Sequence, residues 1–81
     1  MTQRAERDLR RVGADHAERI HEALSSMEAD PYQGDVRQVI GRHRGQWRRR
    51  VGEWRIRFAL DVENRRVVVQ RILPGHSAYG R

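Results

Sequence analysis

The sequence predicts an α+β fold in which an N-terminal helical hairpin packs on a small antiparallel β-sheet. Two observations support this prediction. Apolar residues recur every three or four positions in the first third of the chain, whereas from Gln46 onward they alternate with polar residues. The first period is that of an amphipathic helix and the second that of a strand with one buried face. Because the chain has 81 residues, we expect residues 1–81 to form a single domain.

Two helices are expected, over residues 3–12 and 15–29. Gly13 interrupts the helical period between them, which favours a hairpin over one long helix. The apolar stripe that these helices would turn toward the sheet consists of Leu9, Val12, Ile20, Ala23, Leu24 and Met27.

The ends of the second helix carry recognisable signals. Asp15 stands three residues before Glu18, a spacing at which the two carboxylates can bond to backbone N–H groups of a first helical turn. We therefore expect Asp15 to be the N-cap. The helix should end at Asp30, because Pro31 disfavours helical geometry in the residue before it.

A β-hairpin is expected from residues 47–51 and 54–61. The two segments are joined by Gly52-Glu53, a two-residue turn with glycine at its first central position. Such a turn fixes which residues lie opposite each other. The expected pairs are Val51 with Trp54, Arg50 with Arg55, Arg49 with Ile56, Arg48 with Arg57 and Trp47 with Phe58.

This register separates the hairpin into an apolar face and a basic face. Trp47, Val51, Trp54, Ile56 and Phe58 lie on the apolar face, where the tryptophans are expected to pack against the helices. The basic face carries Arg48, Arg50, Arg55 and Arg57. Arginines directly opposite each other destabilise a sheet by about 0.2–1 kcal/mol per pair. We interpret the quartet as a surface for a nucleic-acid backbone, whose phosphates would offset this repulsion. The alternative is a solvated sheet face.

A third strand is expected after a short loop, over residues 67–73. A three-residue loop would place Arg71 opposite Arg57 on the basic face and turn Gln70 inward. A two-residue loop would instead bury two valines of the strand, but it would also bury Arg71, which would then need a charged partner. We favour the first register.

The composition excludes several classes of protein. The chain has no cysteine, which excludes disulfides, thiolate metal sites and cysteine nucleophiles and favours the cytoplasm. Its apolar runs are far shorter than the roughly 20 residues of a membrane span, and no apolar stretch follows the first basic residues. His16 and His21 are five residues apart, which does not suit a helical metal site. We therefore expect no membrane, metal or other cofactor.

The charge is unevenly distributed along the chain. The first 36 residues have five arginines and eight acidic residues, a net charge of −3, whereas the last 45 have twelve arginines and three acidic residues, a net charge of +9. So basic a segment repels itself unless it binds an anionic partner. Arginine is suited to phosphate, which its planar guanidinium group can bind through two hydrogen bonds.

The order of the segments resembles a known family. A helical hairpin is followed by PYQGDVRQVIG, by WRRRVGEWRIRFAL and by VVVQRILPGHSAY. This succession resembles the RelE/ParE superfamily of bacterial toxins from type II toxin-antitoxin modules, over nearly the whole chain. VGEWRI is similar to the family's Val-Gly-Asp-Tyr-Arg-Val turn, and RILPGHSAY is similar to its Arg-(Ile/Val)-Leu-Pro-Arg-Arg-Asp-Ala-Tyr ending.

The resemblance implies a cytoplasmic, ribosome-dependent mRNA endonuclease that a cognate antitoxin protein holds inactive. In that family reaction a 2′-hydroxyl attacks its own 3′-phosphate and leaves a 2′,3′-cyclic phosphate, and no metal is required. Two alternatives remain open. One is a ParE-like inhibitor of DNA gyrase, and the other is a degenerate member that only binds its antitoxin.

The same resemblance suggests roles for individual residues. Arg55 matches the arginine of the turn motif and would bind the scissile phosphate. Tyr79 would stack on or orient the nucleotide near the cut, and Arg71 matches a common basic position of the last strand. Arg48 and Arg50 occupy places where the family has basic residues, and the predicted register adds Arg57 to the same face. Arg42 and Arg44 lie in the glycine-flanked segment GRHRG and could also contact RNA phosphates, the alternative being a solvated loop. These five are the expected RNA-binding residues.

The chain departs from the family pattern after the Leu-Pro pair. Gly75 and His76 stand where many members have two arginines. Loss of one phosphate-stabilising donor typically costs on the order of 10²- to 10³-fold in rate. His76 could act as the general acid instead, or it could be an ordinary exposed histidine.

A second departure is that the N-terminal edge strand is apparently missing. Family members usually begin with a strand, whereas this sequence starts directly in a predicted helix. Either the recorded start lies too far downstream or the sheet has lost an edge strand. An exposed sheet edge and lower stability would follow.

Overall fold

The computed structural model describes residues 1–38 and 45–75. Within these ranges it contains two helices, α1 (Gln3–Arg11) and α2 (Ala14–Ala29). They pack on an antiparallel sheet with the strand order β1-β2-β3-β4. The strands are β1 (Val36–Gln38), β2 (Gln46–Val51), β3 (Trp54–Asp61) and β4 (Arg66–Pro74). The predicted α+β architecture is confirmed. No helix in the described ranges is long and apolar enough to cross a membrane.

The first residue of each helix is set by the residue just before it. Thr2 caps α1, because its side-chain oxygen accepts a hydrogen bond from the Ala5 N–H at 3.2 Å. The predicted capping role of Asp15 is wrong. Gly13 is the N-cap of α2, and its carbonyl accepts the first backbone bonds of the helix without help from a side chain. Asp15 consequently lies in the first turn of α2, where its negative charge interacts favourably with the helix dipole.

The core lies between the helices and one face of the sheet. Its largest fully buried side chains are Phe58, Ile20, Met27, Ile56 and Ile72. Trp47 and Trp54 are half-buried and pack against this core, as predicted. The Trp54 ring lies 5.9 Å from the ring of His16, and the Trp47 ring lies 5.4 Å from that of Tyr32. The two tryptophans thus join the sheet to α2 and to the segment that follows it.

The β2–β3 hairpin has the predicted register in all five pairs. Gly52 has φ +57°, a left-handed conformation that glycine adopts without a steric cost. The turn therefore contains Gly52 and Glu53, as expected. This register decides which side chains share a face, because a shift of one residue would turn every side chain to the other side.

Strands β3 and β4 combine the two registers that the sequence left open. Near the loop, Phe58 lies opposite Val69, as the two-residue loop predicted. Beyond it, Arg57 lies opposite Arg71, as the three-residue loop predicted. The change occurs at a β-bulge in which Gln70 is the extra residue. The bulge lets Val69 enter the core and Val67 pack against it, and it keeps Arg71 out of the core.

Strand β1 was not predicted. It has three residues, and only Val36 is partly buried, so its alternating pattern is too short to be distinguished from a loop. Val36 lies opposite Arg49, Arg37 opposite Arg48 and Gln38 opposite Trp47. The strand extends the sheet beyond β2 by one short strand.

The expected exposed edge is wrong for residues 69–72 of β4. Thr2 donates a backbone hydrogen bond to the Val69 carbonyl at 2.9 Å, and its hydroxyl donates to the Gln70 carbonyl at 2.9 Å. The Asp8 carboxylate accepts from the Ile72 N–H at 2.9 Å. Thr2 and Asp8 therefore satisfy backbone groups that an edge strand would otherwise leave open to pairing.

Candidate nucleic-acid interface

The four arginines of the predicted basic face lie on one face of the β2–β3 hairpin. We call Arg48, Arg50, Arg55 and Arg57 the arginine face. Arg48 is directly opposite Arg57, and Arg50 is directly opposite Arg55. Strands in a sheet are about 4.8 Å apart, and residues two apart on one strand are separated by about 6.6 Å. Four guanidinium groups are thus anchored in a patch that would suit adjacent groups of a polyanion.

One row of the arginine face continues across the whole described sheet. Arg37 of β1 lies opposite Arg48, and Arg71 of β4 lies opposite Arg57. We call Arg37, Arg48, Arg57 and Arg71 the central arginine row. Arg37 could not be assigned to this row from the sequence, because the three residues of β1 are too few to show an alternating pattern. The row runs at right angles to the strands, from one side of the sheet to the other.

Within the described residues, the middle of this row lacks acidic partners. No carboxylate among residues 1–38 and 45–75 forms an ion pair with Arg48 or Arg57. Asp61 lies at the far end of β3 and accepts hydrogen bonds from Asn64 instead. Both arginines are half-buried on the sheet, so water screens their mutual repulsion less than at a fully exposed site. An anion that approaches this face would therefore lower the electrostatic energy.

Arg71 has a partner that the sequence did not reveal. Its guanidinium donates to Asp8 of α1, with Nε 2.8 Å from Oδ2 and a second nitrogen 3.3 Å from Oδ1. The Asp8 side chain is only 8% exposed and that of Arg71 is 32% exposed. The sequence held one indication that Asp8 is buried. It lies three residues after Ala5 and four before Val12, and this helical spacing places it on the same buried side. Arg71 thus ties α1 to β4. Its predicted catalytic role stays a prediction.

The pKa of the Asp8 carboxyl lies below its ordinary value of 3.8. Burial opposes ionisation and raises the pKa, but hydrogen bonds from Arg71 and the Ile72 N–H, with the positive charges of Arg71 and Arg11, outweigh it. The same contact raises the pKa of Arg71 further above its ordinary range. Both groups are therefore charged at neutral pH.

This shift predicts how stability depends on acid. Because the folded-state pKa of Asp8 is depressed, its ionised carboxylate stabilises the folded protein above pH 3.8. This stabilisation is lost as the pH falls through the folded-state pKa. Urea unfolding of wild type and Asp8→Asn at several pH values measures the contribution of the Asp8 charge. We expect the difference in unfolding free energy between them to narrow from pH 6 to pH 3. A constant difference would contradict the role of the Asp8 charge.

Arg49 is the exception among the arginines of β2. The register turns it toward the helices, where one guanidinium nitrogen donates to Ser26 Oγ at 2.7 Å and to the Ala23 carbonyl at 3.3 Å. A side chain on Gly34 would crowd this guanidinium, because an added Cβ would lie 3.1 Å from it. Arg49 therefore holds α2 on the sheet and does not belong to the arginine face.

Gly75 directly follows β4 and forms a backbone hydrogen bond to the turn between β2 and β3. Its N–H donates to the Glu53 carbonyl. A Cβ at this position would lie 2.8 Å from that oxygen and 3.7 Å from Arg55 Nε. The position at which the family pattern has arginine thus leaves no room for a side chain in this chain. Glycine here brings β4 close to Arg55.

Replacement of Gly75 by alanine is expected to lower the free energy of unfolding by about 1–3 kcal/mol, because the added methyl must displace Glu53 or the strand. Gly13→Ala is the steric control, since nothing lies within 4 Å of its added Cβ. Because alanine is a poorer N-cap than glycine, this control should still lose about 0.5 kcal/mol, which is less than the loss expected for Gly75→Ala. Urea denaturation of both variants measures the difference. Equal stabilities would contradict the close approach.

Several predicted site residues lie outside the described residues. These are Arg42, Arg44, His76 and Tyr79. Their roles stay predictions, as do those of Arg48, Arg50, Arg55 and Arg57. In residues 1–38 and 45–75 no group of three or more histidine or acidic side chains could hold a metal ion.

Known proteins resemble this chain in sequence and in fold. Residues 1–79 match the family model of the ParE toxin of type II toxin-antitoxin systems. No curated protein matches the chain. One similar structure is the RelBE2 toxin-antitoxin complex from Mycobacterium tuberculosis, with a TM-score of 0.81, 23% identity and 90% of each chain covered.

A second similar structure is the RelB-RelE antitoxin-toxin complex from Methanococcus jannaschii. Its TM-score is 0.78, its identity 21%, and the match covers 98% of this chain and 93% of that one. At these identities the two structures show a shared fold. The family model spans nearly the whole sequence, and the chain therefore belongs to the ParE toxin family of type II toxin-antitoxin systems.

Proposed function

We propose that this toxin is a ribosome-dependent mRNA endonuclease of the cytoplasm, with RNA bound on the arginine face. The observation that carries the proposal is the cross-strand register, which places Arg48 directly opposite Arg57 and Arg50 directly opposite Arg55. Arg48 and Arg57 have no ion-pair partner in residues 1–38 and 45–75, and such a pair costs about 0.2–1 kcal/mol in the free protein. A phosphate backbone would turn this cost into a favourable interaction, because each neutralised phosphate releases counterions into solution.

The chemistry of the arginine face suits cleavage through the RNA's own 2′-hydroxyl. In this reaction the 2′-oxygen forms a bond to the adjacent phosphorus as the bond to the 5′-oxygen breaks. The 2′-hydroxyl loses a proton, and the departing 5′-oxygen gains one. Negative charge develops on the phosphoryl oxygens in the transition state, where fixed guanidinium groups stabilise it without dissociating.

Individual roles follow from these needs. Arg55 would bind the scissile phosphate, with Arg48, Arg50 and Arg57 on the neighbouring phosphates. His76 would protonate the leaving 5′-oxygen, because histidine exchanges protons near neutral pH. Tyr79 would stack on or orient the nucleotide beside the cut.

An antitoxin protein is the proposed regulator. The two similar structures are both complexes of a toxin with an antitoxin. The last 45 residues of this chain carry a net charge of +9, and this charge would attract an acidic partner. An antitoxin that covers the arginine face, or displaces groups beside it, would block RNA from binding.

Inhibition of DNA gyrase is the second candidate function. The name of the matching family model, ParE toxin, favours it, as does the absence of room for an arginine side chain at Gly75. In that case the basic surface would bind a protein target, and the toxin would cut nothing itself. A degenerate toxin that only binds its antitoxin is the third reading.

Two assays with the purified toxin discriminate among these functions. The first is primer extension on an mRNA under translation, and the second is supercoiling of relaxed plasmid by gyrase. Cleavage within codons with normal supercoiling supports the endonuclease. Intact mRNA with blocked supercoiling would replace it with the gyrase inhibitor. Normal results in both assays would favour the degenerate reading, and toxin with added antitoxin is the control.

A further inference from the structure

We propose that the RNA backbone crosses the sheet along the central arginine row and leaves it over β1, with Arg37 bound to a phosphate outside the cleaved position. This inference rests on the proposed function, which assigns RNA to the arginine face. It adds the direction of the RNA path and one further binding residue that the sequence did not predict.

The register supplies the path. Arg37, Arg48, Arg57 and Arg71 are consecutive cross-strand partners on four adjacent strands. With about 4.8 Å between neighbouring strands, the row is roughly 14 Å long. In the described strands the second pair, Arg50 and Arg55, forms a row of two arginines, because Leu73 is the partner of Arg55 on β4. A polyanion therefore meets the longest run of arginines when it lies across the strands.

The two ends of the row differ, and this difference sets the direction. At the β4 end, Arg71 is neutralised by Asp8, and α1 lies along the strand edge. At the β1 end, Arg37 is 74% exposed. Its Nε is 3.9 Å from the Asp35 carboxylate, which is itself 56% exposed, and such surface pairs contribute little. The unneutralised charge thus continues from Arg57 toward β1.

Arg37 can be replaced without disturbing the fold. Its side chain contributes nothing to the core, and the neighbouring Val36 packs against the core instead. Strand β1 is held by its pairing with β2 and by a backbone bond from Arg50 to the Asp35 carbonyl at 2.9 Å. A change at Arg37 therefore reports on RNA binding, and thermal unfolding of the variant should match wild type.

The test measures binding of a single-stranded RNA oligonucleotide at several salt concentrations. A 2′-O-methyl group on the nucleotide before the cut prevents cleavage. Arg37→Gln should lower the slope of log K against log salt concentration by about 0.7 and weaken binding roughly fivefold at 0.1 M salt. Arg37→Lys should keep most of the slope. Arg7→Gln, which removes an exposed arginine from α1, is the matched control and should leave the slope unchanged.

The possible outcomes separate this inference from the proposed function. A steep slope in wild type that Arg37→Gln leaves unchanged would overturn the path over β1 alone. Equal losses in Arg37→Gln and Arg7→Gln would also overturn it, because only the net charge would then matter. Wild-type binding that does not change with salt would overturn both the path and the proposed RNA surface.

Discussion

Replacement of Arg55 by alanine is expected to slow mRNA cleavage by about 10²- to 10³-fold, the usual cost of losing one donor to a transition-state oxyanion. Arg55 lies on β3 between Arg50 and Leu73, and the close packing of Gly75 brings the end of β4 next to its Nε. A guanidinium in this fixed position can stabilise charge without reorganising during the reaction.

The measurement is the single-turnover rate of cleavage of ribosome-bound mRNA. Arg7→Ala removes the same charge from an exposed position of α1 and should cleave within twofold of wild type. Arg55→Lys should recover only part of the rate, because lysine cannot form two parallel hydrogen bonds to a phosphate. Cleavage by Arg55→Ala at the wild-type rate would remove Arg55 from the catalytic site.

Replacement of Asp8 by alanine is expected to lower the free energy of unfolding by about 2–3 kcal/mol. The change leaves the buried Ile72 N–H without an acceptor and deprives the Arg71 guanidinium of its carboxylate. Because Arg71 is partly exposed, water recovers part of the lost interaction, and the expected effect stays below that of a fully buried ion pair.

Urea denaturation of Asp8→Ala measures this effect. Glu22→Ala is the matched control, since Glu22 is an exposed acid in the middle of α2, and its loss should change stability by less than about 0.5 kcal/mol. A loss of stability in Asp8→Ala no larger than in the control would show that the Asp8 contacts do not hold α1 on β4.

The β2–β3 hairpin could be predicted from the sequence because one local feature determined it. A two-residue turn at Gly52-Glu53 leaves a single register, and the alternation of Trp54, Ile56 and Phe58 decides which face is buried. The positions of Arg48, Arg50, Arg55 and Arg57 followed from that register. Local chemistry was sufficient here, since every pair lies within a few residues of the turn.

The β3–β4 pairing could be predicted only in part. Each of the two proposed registers satisfied one requirement, either buried valines or a solvated Arg71. The bulge at Gln70 satisfies both, and a strict period of two cannot represent an extra residue. The partner of Arg71 lies 63 residues away in sequence, and nothing local linked Asp8 to it.

The short strand β1 and the cap of α2 were missed for a related reason. Strand β1 has three residues, too few for a periodic pattern, so Arg37 could not be assigned to the central arginine row from the sequence. At the start of α2, Asp15 was predicted as the N-cap because its spacing from Glu18 matches a capping box. The N-cap is Gly13, which has no side-chain cap.

The central claim is that RNA lies on the arginine face, and NMR of arginine side chains tests it most directly. The Nε–Hε signals of the toxin would be recorded while a single-stranded RNA oligonucleotide with a blocked 2′-hydroxyl is added. We predict large shifts for Arg48, Arg55 and Arg57 and none for Arg7. Shifts confined to the arginines of α1, with Arg48 and Arg57 unchanged, would contradict the account.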